Sequence, residues 1–190
     1  MPVEIETEGH LAIITLNRPE ARNAINGEMA STMEACLDEY EDNPDLWCAI
    51  LRSEGTVFSA GADLKEVSAG NGAALATRKG GFAGITRRER TKPLIAAIQG
   101  TAVAGGCEIS LSCDLIVASI ETVFGLAEVK RSLAAAAGGL FRLPRALGMV
   151  TAMEAIMTGE PIPAQRAYEL GMVNMVVEPD QVMAEARDLA

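Results

Sequence analysis

Apolar and polar positions alternate at the start of the chain and then change period. Val3–Thr7 and Leu11–Leu16 read as two strands around Glu8-Gly9-His10, a hairpin signal. Asn17–Asn23 is a loop. Asn26 is suited to cap a helix running to about Asn43, in which Met29, Met33, Cys36, Leu37 and Tyr40 share one face. Trp47–Leu51 is a short, continuously apolar strand, Gly55–Gly61 is turn-rich, and Asp63 opens the next helix. Residues 70–92, rich in Gly, Ala and Arg, are predicted to be helical in part.

Leu94–Ile98 reads as a buried strand, followed by the small-residue segment Gly100–Gly106. A helix from about Gly105 to Cys113 and a strand at Leu115–Ala118 come next. Ala134–Gly139 leads into a helix around Leu140–Leu147 that Pro144 perturbs. Helical patterns at Val150–Met157 and Pro163–Leu170, a strand at Val173–Val177 and a helix over Pro179–Ala190 complete the chain. Strands alternating with helices predict an α/β fold with largely parallel pairing. No clean sequence repeat and no linker interrupts it, so residues 1–190 are expected to form one domain.

Composition narrows the partners. Of the 190 residues, 49% are hydrophobic, enough for a sizeable core. A net charge of −10 argues against nucleic acid as the main partner. No apolar run reaches the length of a membrane span, and the acidic N-terminus lacks the apolar core of a secretory signal. The four cysteines, Cys36, Cys48, Cys107 and Cys113, sit in apolar contexts without metal-ligand spacing. Buried thiols in a cytoplasmic protein are expected, with no metal site.

Two glutamates then stand out. Glu108 interrupts the uncharged run Thr101–Cys113, and Glu128 follows Thr122–Ala127. A carboxylate in apolar surroundings is costly unless it is paired, hydrogen-bonded or working. Two of them suggest one site, where one carboxyl gives a proton and the other handles a water. Two strand-to-helix turns lie nearby. Phe58–Leu64, with Ala60, Gly61, Ala62 and Asp63, lets backbone N–H groups approach a ligand closely, and also reads as an ordinary capped turn. Ala104-Gly105-Gly106 has the same character and opens the helix that carries Glu108, whose bland alternative is a solvent-facing helix position. An N–H from each turn could form an oxyanion hole.

Phe58–Leu64, Gly100–Asp114 and Phe124–Glu128, in this order, resemble the crotonase superfamily, and most narrowly its enoyl-CoA hydratases. Leu16–Asn26, Gly138–Pro144 and Ala164–Asn174 fit as well, so the resemblance covers essentially the whole chain. It implies a spiral of β-β-α turns binding an acyl-CoA, with the Ala62 and Gly105 N–H groups holding the thioester carbonyl as it becomes an enolate. Glu108 would deprotonate the water that attacks the β-carbon of a 2-trans-enoyl-CoA, and Glu128 would protonate the α-carbon. The product is a 3-hydroxyacyl-CoA, as in acyl-CoA degradation, and CoA enters as part of the substrate, without a further cofactor. The substrate is expected along Arg22, Ala24, Ala60, Gly61, Ala62, Asp63, Leu64, Val103, Gly105, Ala127 and Gly139. Arg22 is a candidate for a phosphate. The basic residues Arg78, Lys79, Arg87, Arg88, Arg90 and Lys92 are candidates too, or form a solvated face. A homotrimer or dimer of trimers is implied.

Two departures from the pattern matter. Ala135-Ala136-Ala137-Gly138-Gly139 stands where many members have Pro-Gly-x-Gly-Gly. The chain also stops at Ala190, inside a predicted helix, whereas members usually continue through further C-terminal helices. Residues 179–190 would then begin an incomplete helical region. Within the family, an isomerase or dehydratase and a non-catalytic acyl-CoA-binding subunit are the alternatives. An isomerase usually needs only the carboxylate at the position of Glu128, so Glu108 favours hydratase or dehydratase chemistry. A Ser-His-Asp hydrolase is unsupported, because His10 is the only histidine and no G-x-S-x-G occurs.

Overall fold

The computed structural model describes residues 1–190. It opens with the hairpin β1 (Val3–Glu8) and β2 (Leu11–Leu16), followed by α1 (Gly27–Asp42). Asn26 caps α1, its side-chain oxygen accepting from the Met29 N–H at 2.8 Å. The faces of α1 sort as the period requires, with Met29, Met33, Cys36, Leu37 and Tyr40 buried.

Three strand pairs then repeat one plan. β3 (Cys48–Ser53) is followed by β4 (Val57–Ser59) and the short helix α2 (Leu64–Ser68). The minor hairpin of β5 (Ala76–Thr77) and β6 (Gly81–Phe82) intervenes. β7 (Leu94–Ile98) is then followed by β8 (Thr101–Val103) and α3 (Gly105–Ser110), and β9 (Leu115–Ser119) by β10 (Val123–Gly125) and a 3-10 turn at Glu128–Arg131. The first strand of each pair enters a six-stranded sheet. The chain ends with α4 (Gly139–Leu147), α5 (Met149–Thr158), β11 (Ile162–Pro163), α6 (Ala164–Glu169), β12 (Met175–Val177) and α7 (Val182–Leu189). The large sheet is ordered β1-β2-β3-β7-β9-β12, and the second strands form a smaller sheet ordered β11-β10-β8-β4. Apart from the β1–β2 and β10–β11 pairs, both sheets are parallel. This is the spiral of β-β-α turns.

The central strands β3, β7 and β9 of the large sheet are buried on both faces, which is why they read as continuous apolar runs rather than alternating ones. Ala49, Leu51, Leu94, Ala96 and Ile98 join the α1 side of the core, while Ile50, Ile95, Ala97 and Val117 meet Val182 and Ala186 of α7. No helix is long and apolar enough to cross a membrane.

The sequence reading needs three corrections. First, the helical part of residues 70–92 is short and contains no α-helix. These residues hold one 3-10 turn (Gly72–Leu75), the β5–β6 hairpin and further turns. Gly70, Gly81 and Gly84 adopt positive φ, and a Cβ on Gly80 would stand 1.9 Å from the Gly84 carbonyl oxygen, so the glycines close this segment on itself. Second, the turn-rich and small-residue segments contain β4 and β8, strands of three residues. Third, Pro179–Gln181 is a 3-10 turn before α7. Pro144 sits inside α4 without ending it.

Candidate active site

The three short parallel strands β4, β8 and β10 end side by side. Val57 and Ser59 register with Thr101 and Ala102, while Phe124 and Gly125 register with Ala102 and Val103. Their carboxyl ends therefore deliver three turns to one place: Ala60–Asp63, Ala104–Glu108 and Leu126–Glu128. Ligands in parallel α/β sheets characteristically bind at this edge.

The first two turns touch. A Cβ on Gly61, which has φ +87°, would lie 2.7 Å from the Gly105 nitrogen. A Cβ on Gly105 would lie 2.5 Å from the Phe82 ring, and one on Gly106 would lie 2.1 Å from the Ser59 carbonyl oxygen. Glycine at these positions is what lets the turns close. Ala62 bridges Ile25 in a parallel ladder, with the Ile25 N–H donating to Gly61 at 2.7 Å and the Asp63 N–H to Ile25 at 2.9 Å. That ladder leaves the Ala62 N–H pointing to the opposite edge. The Gly105 N–H, first in α3, has no partner within its helix. Ala104 between them holds φ 51° and ψ −126°, a conformation alanine rarely adopts. Its N–H donates to Gly125 at 2.7 Å, which extends the β8–β10 ladder up to the turn and fixes the strained residue.

Asn23 ties the loop before α1 to this frame. It is fully buried. Its side-chain amide donates to the Glu54 and Val57 carbonyls at 2.9 and 2.8 Å and accepts from the Arg18 N–H at 2.8 Å. The adjacent Arg22 carbonyl accepts from the Ala60 N–H at 3.0 Å.

Glu108 is 3% exposed, and its Oε1 accepts from the Gly139 N–H at 2.9 Å. Burial raises its carboxyl from an ordinary 4.5 to about 7. The Gly139 N–H opposes that rise, Glu128 adds to it, and the Ala137 N–H and Arg142 oppose it more weakly. Burial also raises the Glu128 carboxyl, against a smaller pull from its own backbone N–H. Glu128 Oε2 is buried without a hydrogen-bond partner. Two carboxyls that are both pushed toward neutrality, one oriented by a backbone donor and one left free, are suited to moving protons.

Both glutamates line a cavity of about 790 Å³ with mostly apolar walls. Of the residues singled out from sequence, Arg22, Ala60, Ala62, Leu64, Val103, Gly105, Ala127, Glu108 and Glu128 line it. Ala24, Gly61, Asp63 and Gly139 do not. The Ala24 carbonyl accepts from Arg18 at 2.8 Å, Gly61 lies behind the wall against Gly105, and Gly139 acts through Glu108. Asp63 caps α2 through the Lys65 N–H at 3.0 Å and pairs with Arg18 at 2.8 Å, which lowers its carboxyl.

None of the six basic residues 78–92 lines the cavity. Lys79 and Arg88 pair with Asp38, Arg90 with Asp114, and Lys92 donates to the Tyr40 and Asn43 carbonyls. The cations on the wall are Arg22, Lys130 and Arg131. Sequence reasoning also missed Phe82 and Leu133, because nothing local marks an apolar residue as a wall. No three His, Cys, Asp or Glu side chains are grouped as metal ligands.

Residues 6–190 match the family model described as enoyl-CoA hydratase/isomerase. The short-chain-enoyl-CoA hydratase of Clostridium acetobutylicum is 39% identical over 193 aligned positions, covering 99% of this chain and 73% of that protein. The mevalonyl-coenzyme A hydratase of Aspergillus fumigatus is 40% identical, covering 95% of this chain and 68% of the relative. The crystal structure of an enoyl-CoA hydratase from Mycobacterium tuberculosis H37Rv superposes with a TM-score of 0.94 at 42% identity, over 99% of this chain and 73% of that one. A shared spiral, two touching turns and this extent of similarity establish that the chain belongs to the enoyl-CoA hydratase/isomerase family of the crotonase superfamily.

Proposed function

We propose that the protein is a 2-enoyl-CoA hydratase and that Glu108 and Glu128 are its acid–base pair. The observation that carries this reading is the pair itself: two carboxyls raised by burial face one cavity, beside two backbone N–H groups on touching turns. The Ala62 and Gly105 N–H groups hold the thioester carbonyl and take up its negative charge as the enolate forms. Glu108, ionised and held by Gly139, removes a proton from water as the oxygen bonds to the β-carbon. Glu128, protonated, gives its proton to the α-carbon. Net, one water adds across the double bond, and the proton gained by Glu108 must reach Glu128 before the next turnover. Burial raises both carboxyls, and the Glu128 charge adds to the rise at Glu108.

Arg22 lies where the loop before α1 meets the Ala60–Ala62 turn and takes a CoA phosphate. CoA itself is part of the substrate, and the acid–base pair needs no further cofactor. The four free thiols support a reducing compartment, and we place the activity in the cytoplasm. Residues 1–190 act as one domain. Its exposed apolar α4–α5 face, including Phe141, Met149 and Val150, supports a homotrimer or dimer of trimers, and sedimentation of a strictly monomeric protein would contradict that assembly.

Hydration is read directly as loss of the conjugated-thioester absorbance of crotonyl-CoA. Turnover to 3-hydroxybutyryl-CoA is expected. A folded protein that binds CoA without turnover would instead be an acyl-CoA-binding subunit.

A further inference from the structure

Arg142 lies outside the cavity wall, yet it grips both segments that shape the cavity. Its Nη2 donates to the Thr86 carbonyl at 2.7 Å and its Nη1 to the Ala137 carbonyl at 3.3 Å. The guanidinium rests against Gly138, where a Cβ would come within 1.9 Å of Nη1, and its carbon stands 4.8 Å from the centre of the Phe141 ring. Gly138 itself has φ +116°, so glycine is required there twice over.

Each grip leads to a group in the proposed reaction. The Ala137–Gly139 turn presents the N–H that holds Glu108 Oε1. The Thr86 N–H donates to the Phe82 carbonyl at 3.2 Å, and the Phe82 ring packs against Gly105. A planar fork can hold two carbonyls at once at a fixed spacing, which a lysine ammonium cannot reproduce.

We propose that Arg142 is a positioning residue for hydration, locking the Ala137–Gly139 turn against Glu108 and the Thr86 turn that seats Phe82 on Gly105. This rests on the hydratase reading above. Charged or titratable groups acting on Glu108 are Glu128 and Arg142, with the Cys107 thiol adjacent on α3. Arg90, Arg145 and Cys113 in turn act on Arg142. Losing the guanidinium removes a positive charge and loosens a donor to the Glu108 carboxylate, and both changes raise its titration midpoint.

The test compares Arg142→Gln, Arg142→Lys and Arg145→Gln with wild type. It reads kcat and KM for crotonyl-CoA, together with the Glu108 midpoint from carboxyl ¹³C resonances of glutamate-labelled protein, assigned with Glu108→Gln. In Arg142→Gln, kcat is expected to fall about tenfold or more, with KM within about threefold. The Glu108 midpoint is expected to rise by about half a pH unit or more. Arg142→Lys keeps the charge but not the fork, so kcat remains low while the Glu108 midpoint rises less than in Arg142→Gln. Arg145→Gln changes neither. A folded Arg142→Gln with the wild-type kcat and midpoint overturns the inference, as does a lowered kcat with an unmoved midpoint. Should Arg142→Gln fail to fold, wild-type kcat in Arg142→Lys overturns it. A wild-type protein without hydratase activity refutes the reading beneath, and the Glu108 midpoint then decides the role of Arg142 alone.

Discussion

Burial of the Glu108 carboxyl costs the protein stability as pH rises. This carboxyl titrates near 7 in the folded protein, against 4.5 when free. The folded state therefore holds this proton more tightly than the unfolded chain does. Stability from this group is fully present below about pH 4.5 and is lost as pH rises through about 7, on the order of 3 kcal/mol in all. Glutamine mimics the neutral acid and can still accept from Gly139. Glu108→Gln is thus expected to raise stability at pH 8 by about 1–3 kcal/mol while lowering hydration by about 10²- to 10⁴-fold. Denaturant melts at pH 5 and pH 8 check the first half, since the gain should shrink at the lower pH. An equal gain at both would mean that the carboxyl is not perturbed.

At the scale of elements, backbone geometry carries the site. Ala104 is strained by about 1–3 kcal/mol for a residue of its kind. Glycine there relieves the strain at about 0.5–1 kcal/mol of added chain entropy. Ala104→Gly is therefore expected to stabilise the protein by about 1 kcal/mol, a rise of about 2–4 °C in Tm. A fall in Tm would show that the turn is relaxed as it stands. Gly61→Ala works the other way. Its Cβ would meet the Gly105 nitrogen at 2.7 Å and drive the two turns apart, so kcat/KM should fall about a hundredfold or more. Asn23→Ala removes three hydrogen bonds from a fully buried side chain at φ +50°. It is expected to cost about 3 kcal/mol in a denaturant titration and to raise KM for an acyl-CoA, because the loop bearing Arg22 loses its anchor.

These particulars also mark what the chain could reveal on inspection. The long elements were legible: α1 from its apolar face and Asn26, and β3, β7 and β9 from runs buried on both faces. So were Glu108 and Glu128, because charge in an apolar stretch demands a reason. β4, β8 and β10 were not legible, since three residues are too few to show a period. Their identity comes from pairing with one another, which is a property of the folded molecule. The 70–92 segment misled because its alanines favour helix while its glycines, spaced to close turns, prevailed. The basic residues in that segment read equally as phosphate ligands or as a solvated face, and in the fold most are paired with Asp38, Asp114 or backbone carbonyls.

For the whole molecule, two sheets divide the work. The large one, with its central strands buried on both faces, supplies rigidity, and the small one aligns the ends of three strands so that their turns converge. The chain spans 73% of the length of the M. tuberculosis enoyl-CoA hydratase structure on which it superposes. The central claim is that Glu108 and Glu128 act together on one water and one thioester. Steady-state hydration of crotonyl-CoA by wild type, Glu108→Gln and Glu128→Gln, with CoA affinity measured alongside, tests it most directly. Both variants should bind CoA as wild type does and lose hydration by about 10²-fold or more. Full hydration by either variant would contradict the paired mechanism.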